Sequence, residues 1–369
     1  MFANTDWYLY NFRLGQAQAL GERGDEVVLV SPDGPYGPRM RAMGIRWFPF
    51  PLARRSLNPF TGIRDVVGLL RLYQHENPDL VHHFTVKCVF YGSLVSHLLG
   101  IHSVVNSVTG LGYVFMEGGG VRRWLRGLIK AAYRLLLKRT WVIFQNVDDQ
   151  EVFMQSRLVD PGRVVLIRGS GVDTRHFHPQ PEPTGIPLVI LPARMLWDKG
   201  VGEFVAAARI LLAEGLRARF ALVGDSDNEN PASVDSSQLR EWEKEGVIEW
   251  WGWMENMNDV YAQAAIVCLP SYREGLPKTL IEAAACGRPI VTSDVPGCRE
   301  VVQQGENGRL VPVRDAGALA EALSDLVKSP QTRREMGIRS RAIAEKEFSM
   351  ELVISQTIAL YKTCRNERY

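Results

Sequence analysis

Tyr272 to Val291 reads YREGLPKTLIEAAACGRPIV, and its punctuation divides it into three parts. Pro277 suits the first turn of a helix over Lys278 to Ala285, Cys286-Gly287 makes a stop, and Pro289 leads a β-branched run. The order is loop, helix, strand. Glu274 then lies in the loop and Glu282 on the helix, about 12 Å apart if the steps between them were wholly helical. Between the two carboxylates is a helix N-terminus, whose free N–H groups and macrodipole favour anions. The arrangement suits an elongated ligand with an anionic middle and hydroxyls at both ends, such as a nucleotide diphosphate sugar.

The same alternation runs outward on either side. PLVILPAR, ARFALVGD, VIEWWGW, IVCLPS, PIVTSD and GRLVPV alternate with helical patterns such as GEFVAAARILLAEG and SQLREWEKEG, which predicts a parallel sheet wrapped by helices. The first half repeats the pattern with DEVVLVSPDG, DLVHHF, HSVVNSV and WVIFQN. The fold class is therefore α/β, with two Rossmann-like domains facing each other across a cleft. Gly, Pro and His gather between Ile167 and Pro187, the mark of a linker. The expected division is a first domain over residues 1–175, a linker over 176–186 and a second domain over 187–349, with a last helix in 350–369 packing back on the first. Met1-Phe2-Ala3 supplies only the tail of the central first strand such a domain needs, so an apolar run is expected upstream.

At 369 residues the chain suits two domains of ordinary size. It shows no apolar run of bilayer-spanning length and no basic-then-apolar leader, so the cytoplasm is expected. The cysteines (Cys88, Cys268, Cys286, Cys298, Cys364) are odd in number and widely spaced, with no CxxC pair. They support neither a disulfide framework nor a zinc site. Residues 1–180 carry 21 Lys/Arg and 14 Asp/Glu, against 22 and 27 in the rest, so the first half is the one suited to an anionic surface or substrate.

Ligands of doubly wound sheets bind beyond the carboxyl ends of strands. After the second domain's first strand comes ARMLWDKGVGEF, where Arg194 and Lys199 flank a strand-to-helix turn and could neutralise a diphosphate. The alternative for Arg194 or Lys199 is a surface ion pair with Asp198. Asp225-Ser226-Asp227 matches a DxD metal tripeptide, but three letters are a weak signal and they end a strand well past the linker. No metal site is expected.

Arg194, Lys199 and the pair Glu274/Glu282 with seven residues between them, taken with PSYREGLPKTLIEAAACGRPIVTSDVPGCREVV, NTDWYLYNFR, HHFTVK and TGLGYVF, resemble the retaining GT-B glycosyltransferases of family 4. The resemblance covers nearly the whole chain. It points to the subgroup that adds a hexose or N-acetylhexosamine (N-acetylgalactosaminyl or hexosyl transfer) to undecaprenyl-diphosphate-linked sugars in bacterial polysaccharide or glycan assembly. It implies that Glu274 meets donor-sugar hydroxyls, that Glu282 holds the ribose, and that the backbone of Gly275, Leu276 and Lys278 approaches the diphosphate beside Arg194 and Lys199. Trp253, within WWGWM, falls where the family frames its base. The expected donor is a UDP-sugar, with no further cofactor, no metal and no nucleic-acid partner. Many members place a His after the strand corresponding to HSVVNSV, where this chain has Thr109-Gly110. His83, with Lys87, is the nearest first-domain substitute and is taken as a candidate for catalysis or acceptor binding. Asp6 is a general base or a helix cap. The alternatives are a GT-B UDP-sugar epimerase, a transferase with a soluble acceptor, and an inactive scaffold, which the intact charged set disfavours.

VRRWLRGLIKAAYRLLLKR, Val121 to Arg139, repeats a cation every four residues at Arg122, Arg126, Lys130, Arg134 and Lys138. Trp124, Leu125, Leu128, Ile129, Leu135 and Leu136 supply its apolar side. The expectation is a helix lying on the anionic inner membrane surface, giving a cytoplasmic, peripherally attached protein.

Overall fold

The computed structural model describes residues 1–53, 58–109, 121–227 and 230–367. Residues 110–115 of the TGLGYVF phrase, and the side chains of Arg122, Trp124, Leu125, Arg126 and Leu128, lie outside the described set. The chain forms two compact units, one of Met1–Ser170 with Glu351–Tyr369 and the other of Gly171–Met350.

In the first unit the order is α1 (Asp6–Glu22), β1 (Val28–Ser31), α2 (Tyr36–Ala42), β2 (Arg46–Pro49), α3 (Pro59–Glu76), β3 (Val81–Phe84), α4 (Val86–Leu99), β4 (Val104–Val108), α5 (Val121–Leu137), β5 (Trp141–Phe144), α6 (Val147–Gln155) and β6 (Val164–Leu166). β1 pairs with β2, and β3 to β6 pair in sequence, all parallel. Phe2 sits between the two sets as a parallel bridge to Val30 on one side and His83 on the other. Its N–H donates to the His82 carbonyl at 2.8 Å and its own carbonyl accepts from Phe84 N at 2.9 Å. Thr5, not Asp6, caps α1, accepting from Tyr8 N at 3.1 Å. The buried Asp6 carboxylate instead takes the N–H groups of Tyr36 and Gly37 at 2.7 and 3.1 Å, tying the start of α2 to α1.

The second unit runs β7 (Leu188–Pro192), α7 (Val201–Ala213), β8 (Arg219–Val223), α8 (Ser236–Lys244), β9 (Glu249–Gly252), α9 (Met257–Gln263), β10 (Ile266–Leu269), α10 (Lys278–Ala285), β11 (Ile290–Ser293), α11 (Cys298–Val301), β12 (Gly308–Val311), α12 (Ala316–Lys328) and α13 (Pro330–Glu347). Its six strands are parallel in the order β12-β11-β10-β7-β8-β9, the doubly wound order that reverses between β7 and β10. Strands β7, β10 and β11 are buried throughout, which explains their continuous apolar runs. The last helix, α14 (Met350–Asn366), belongs to the first unit from Glu351 onward.

The structure corrects the expected linker over 176–186. Val172 bridges Ser349, and Val172 N donates to the Phe348 carbonyl at 2.9 Å. Arg341 donates to the carbonyls of Thr174 and Phe177, Arg288 to that of Gln180, and Arg333, nearly fully buried, pairs with Glu182 at 2.5 Å. With its carbonyls held by two arginines and its Glu182 carboxylate by a third, the Gly- and Pro-rich stretch is a fixed part of the second unit, and the opening segment of the first unit ends at Ser170.

Candidate functional site

The switch point of the second sheet gathers the chain that follows β7 and β10. After β7, residues 193–200 turn through a short 3-10 turn at Trp197–Lys199 and enter α7 at Gly200. Gly200 has φ +74, and a Cβ there would stand 2.1 Å from the Pro270 carbonyl oxygen. Only glycine permits this approach. Across the same contact Tyr272 N donates to the Asp198 carbonyl at 2.9 Å, and Ser271 Oγ to the same oxygen at 3.1 Å. The two loops are thereby locked together, and Lys199 forms an ion pair with Glu274. Both side chains are largely covered. In that setting an ion pair is stronger than at an open surface.

Beyond Glu274 the chain follows the order read from its punctuation, with α10 spanning Lys278–Ala285 behind Pro277 and closing at Cys286. The Glu274 and Gly275 carbonyls face Gly297 (φ +80), where a Cβ would approach them to 2.8 and 2.5 Å. Leu276 packs against the core beneath. On α10, Glu282 is 7% exposed. Its Oε2 lies 3.0 Å from the Tyr261 hydroxyl and its other oxygen 3.6 Å from Lys278 Nζ. The Tyr261 hydroxyl is also 3.1 Å from the Thr279 carbonyl, so one proton serves two acceptors. Burial pushes the Glu282 carboxyl up, with Lys278 the chief opposing influence.

A third layer steadies the Tyr272 end. The Tyr272 hydroxyl donates to Glu203 on α7 at 2.7 Å, while the Arg314 guanidinium stands 4.6 Å from its ring centroid. Arg314 itself holds φ 60, a conformation costly for a side-chain-bearing residue. Gly200, Gly297, Tyr261 and Arg314 escaped the sequence reading because their partners are remote in the chain. The DKG and VPG glycines were its only local trace.

Arg194 stands apart from this cluster in its pairing. Its exposed guanidinium bonds Asp227 at 2.9 Å instead of Asp198, engaging one acid of the DxD match. Trp253, after the left-handed Gly252 that ends β9, is 57% exposed.

His83 lies in the first unit, and its expected role is corrected by its surroundings. It is fully buried, its Nδ1 is 2.8 Å from Asn106 Oδ1 and its Nε2 is 2.9 Å from the Tyr73 hydroxyl. Gly92 of α4 packs so closely that a Cβ would lie 2.4 Å from the ring. Burial lowers the ring's pKa to about 3. A neutral, doubly hydrogen-bonded ring without accessible surface is core, not a group that meets substrate. His82 points the other way, bonded to Ser107 and Tyr361, as strand alternation requires.

On α5, Arg134 is also committed. Its Nε and Nη2 donate to the carbonyls of Arg157 and Ser156 at 3.1 and 3.2 Å, serving the end of α6. Leu136 is buried, Ile129 packs on the core, and Leu135 and Lys138 face outward.

A family model described as glycosyl transferases group 1 matches residues 186–329, and one described as glycosyl transferase 4-like matches residues 1–146. The alpha-maltose-1-phosphate synthase of Mycolicibacterium smegmatis is 30% identical over 78% of this chain and 79% of its own length. The chain belongs to the group 1, family-4-like glycosyltransferases. Over 96% of the chain it is also 28% identical to the N,N'-diacetylbacillosaminyl-diphospho-undecaprenol alpha-1,3-N-acetylgalactosaminyltransferase of Campylobacter jejuni, covering 95% of that protein. Among solved structures, Anabaena HepE in complex with UDP aligns with TM-score 0.79 and 17% identity, over 98% of this glycosyltransferase and 99% of that chain. The likeness identifies the fold as GT-B. Among the described residues no helix is long and apolar enough to cross a membrane.

Proposed function

We propose that this glycosyltransferase moves a hexose or N-acetylhexosamine, with retention of anomeric configuration, from a UDP-sugar to a saccharide carried on undecaprenyl diphosphate, in bacterial surface polysaccharide or glycan synthesis. The observation that carries the reading is the Lys199–Glu274 pair at the switch point, eight residues before the buried Glu282. In this reading Glu282 accepts from ribose hydroxyls and Glu274 from the donor sugar. Lys199, with Arg194 released from Asp227, neutralises the diphosphate as charge builds on the leaving group. The backbone from Gly275 to Lys278 lies along the diphosphate, and Trp253 flanks the base. Front-face attack, with a diphosphate oxygen taking the acceptor proton, asks of the protein only positioning and charge stabilisation. The Campylobacter relative's acceptor, an undecaprenol-linked sugar, supports the acceptor class. Contact with an anionic membrane surface through the Val121–Arg139 stretch completes the reading, with Lys130 on α5 and Lys138 just beyond it among its described cations.

The test is transfer from a panel of UDP-sugars to a short undecaprenyl-diphosphate saccharide, with the product's anomeric configuration read by NMR. One UDP-sugar should give an α-linked product. Isomerised UDP-sugar in the absence of acceptor would favour the epimerase instead, and a β-linked product would end the retaining assignment.

A further inference from the structure

The outer face of α3 carries an apolar stripe that the fold leaves uncovered. Phe60 is 79% exposed, Ile63 62% and Val67 42%. Single exposed apolar residues are ordinary, but these follow one another at i, i+3 and i+7. At 100° per residue, Phe60, Ile63, Arg64, Val67 and Arg71 all fall within about 100° of arc. Leu69, Leu72 and Tyr73 on the opposite side fill the core. The start of the helix is well fixed, for Asn58 Oδ1 accepts from Phe60 N at 3.0 Å, so Phe60 is displayed from an ordered first turn.

The charge around this stripe has one sign. Arg64 and Arg71 are exposed beside it. Of the two acids in α3, Asp65 is buried and accepts from Ala53 N, with Arg64 alongside at 3.1 Å, and Glu76 is bound to Arg46 at 3.0 Å. Neither α4 nor α5 contains any Asp or Glu. The topology places all three helices together. The strand order turns back after β2, so right-handed crossovers put α3, α4 and α5 on one side of the sheet, and α4 touches both neighbours. Leu98 near the end of α4 and Leu135 on α5 are exposed in the same layer, with Lys138 beside Leu135.

We propose that this three-helix layer, with the Phe60–Ile63–Val67 stripe of α3 as its inserting edge, docks the first unit on an anionic phospholipid surface. The inference extends the membrane part of the proposed function to residues outside α5, and it does not depend on the sugar chemistry. Large apolar side chains set among cations, with no exposed acid among the described residues of these three helices, match a headgroup layer that is negative outside and apolar a few ångströms in. A protein partner of mixed charge would not call for three helices so poor in acids.

The experiment compares sedimentation of the full chain with vesicles of phosphatidylcholine alone and of phosphatidylcholine containing phosphatidylglycerol, across rising salt. Wild type should bind the phosphatidylglycerol vesicles selectively. The triple variant Phe60→Gln/Ile63→Gln/Val67→Gln should lose about tenfold or more in partitioning while its residual binding still weakens with salt, and Arg64→Gln/Arg71→Gln should flatten the salt dependence. UDP affinity, measured on each variant, should stay at the wild-type value, which separates lost docking from misfolding and from failure of the donor-site reading. Wild type that ignores phosphatidylglycerol, or a triple variant that partitions as wild type does, would overturn the proposal. So would a wild-type dimer in size-exclusion chromatography that the triple variant converts to monomer, since the face would then be a protein interface.

Discussion

Lowering the pH from about 7 to about 5 should loosen the first unit of this glycosyltransferase more than the second, because His83 is held neutral inside it. Above 6.5 the ring is neutral in both folded and unfolded chains. Below that value the unfolded chain takes up a proton that the fold refuses, so stability falls as the pH drops toward the folded value of about 3. By pH 5 the loss from His83 alone is about 2 kcal/mol, close to 25-fold in the opening equilibrium. His82, lowered well below 6.5 by burial and by the nearby Arg13 charge, adds in the same sense. The two units can be read separately by pulsed thiol labelling with peptide mass spectrometry. Cys88 lies in the first core, Cys268 in the second, and both are fully buried. Their ratio of labelling cancels the pH dependence of thiol reactivity, and it should rise by about 25-fold or more between the two pH values. The His83→Gln variant should show a smaller rise. A flat ratio would refute the reasoning. So would an NMR titration of His83 near 6.5, or a His83→Gln enzyme that folds normally yet loses turnover by orders of magnitude.

Three further outcomes follow from the second unit. Lys199→Ala should lower kcat/KM by roughly a hundredfold, the scale of one lost transition-state contact, and activity should survive excess EDTA; steady-state kinetics showing a folded variant near the wild-type rate, or activity that EDTA removes and Mn²⁺ restores, would contradict this. Gly200→Ala must push the Pro270 carbonyl away while adopting a positive φ, so its melting temperature should fall by several degrees and its UDP affinity with it, and a variant with unchanged melting would show that the two loops are not locked. Tyr261→Phe removes the hydroxyl from Glu282, and calorimetry should record UDP binding weakened by about tenfold, with unaltered binding marking Tyr261 as packing only.

Local chemistry made the second unit readable. Pro277 and Cys286-Gly287 bound α10 because a helix start and stop depend on residues within one turn, and buried parallel strands announce themselves as β-branched runs. What depends on remote neighbours was not readable. A Gly at 200 signals a special backbone, but not that Pro270 presses on it. His83 looked like a strand-end histidine, and only the packing of Gly92, Tyr73 and Asn106 around it makes it core. Arg134 fell on a regular cationic stripe, yet the end of α6 claims it. Helix α3 has two apolar stripes of similar quality, and periodicity cannot tell which one the sheet covers.

The return of α14 to the first unit bears on how the molecule is made. Tyr361 supplies a hydroxyl to Gln16 at 2.8 Å and to His82, and Val353 and Leu360 fill the same core as Val105 and Ile143. During synthesis these partners stay unmatched while the entire second unit is translated, a wait on the order of ten seconds or more at ordinary elongation rates. The domain begun first is thus finished last. Until then its sheet exposes an apolar seam to chaperones and proteases, and a chain ended at Met350 should be cut within the first unit while the second, already closed, resists.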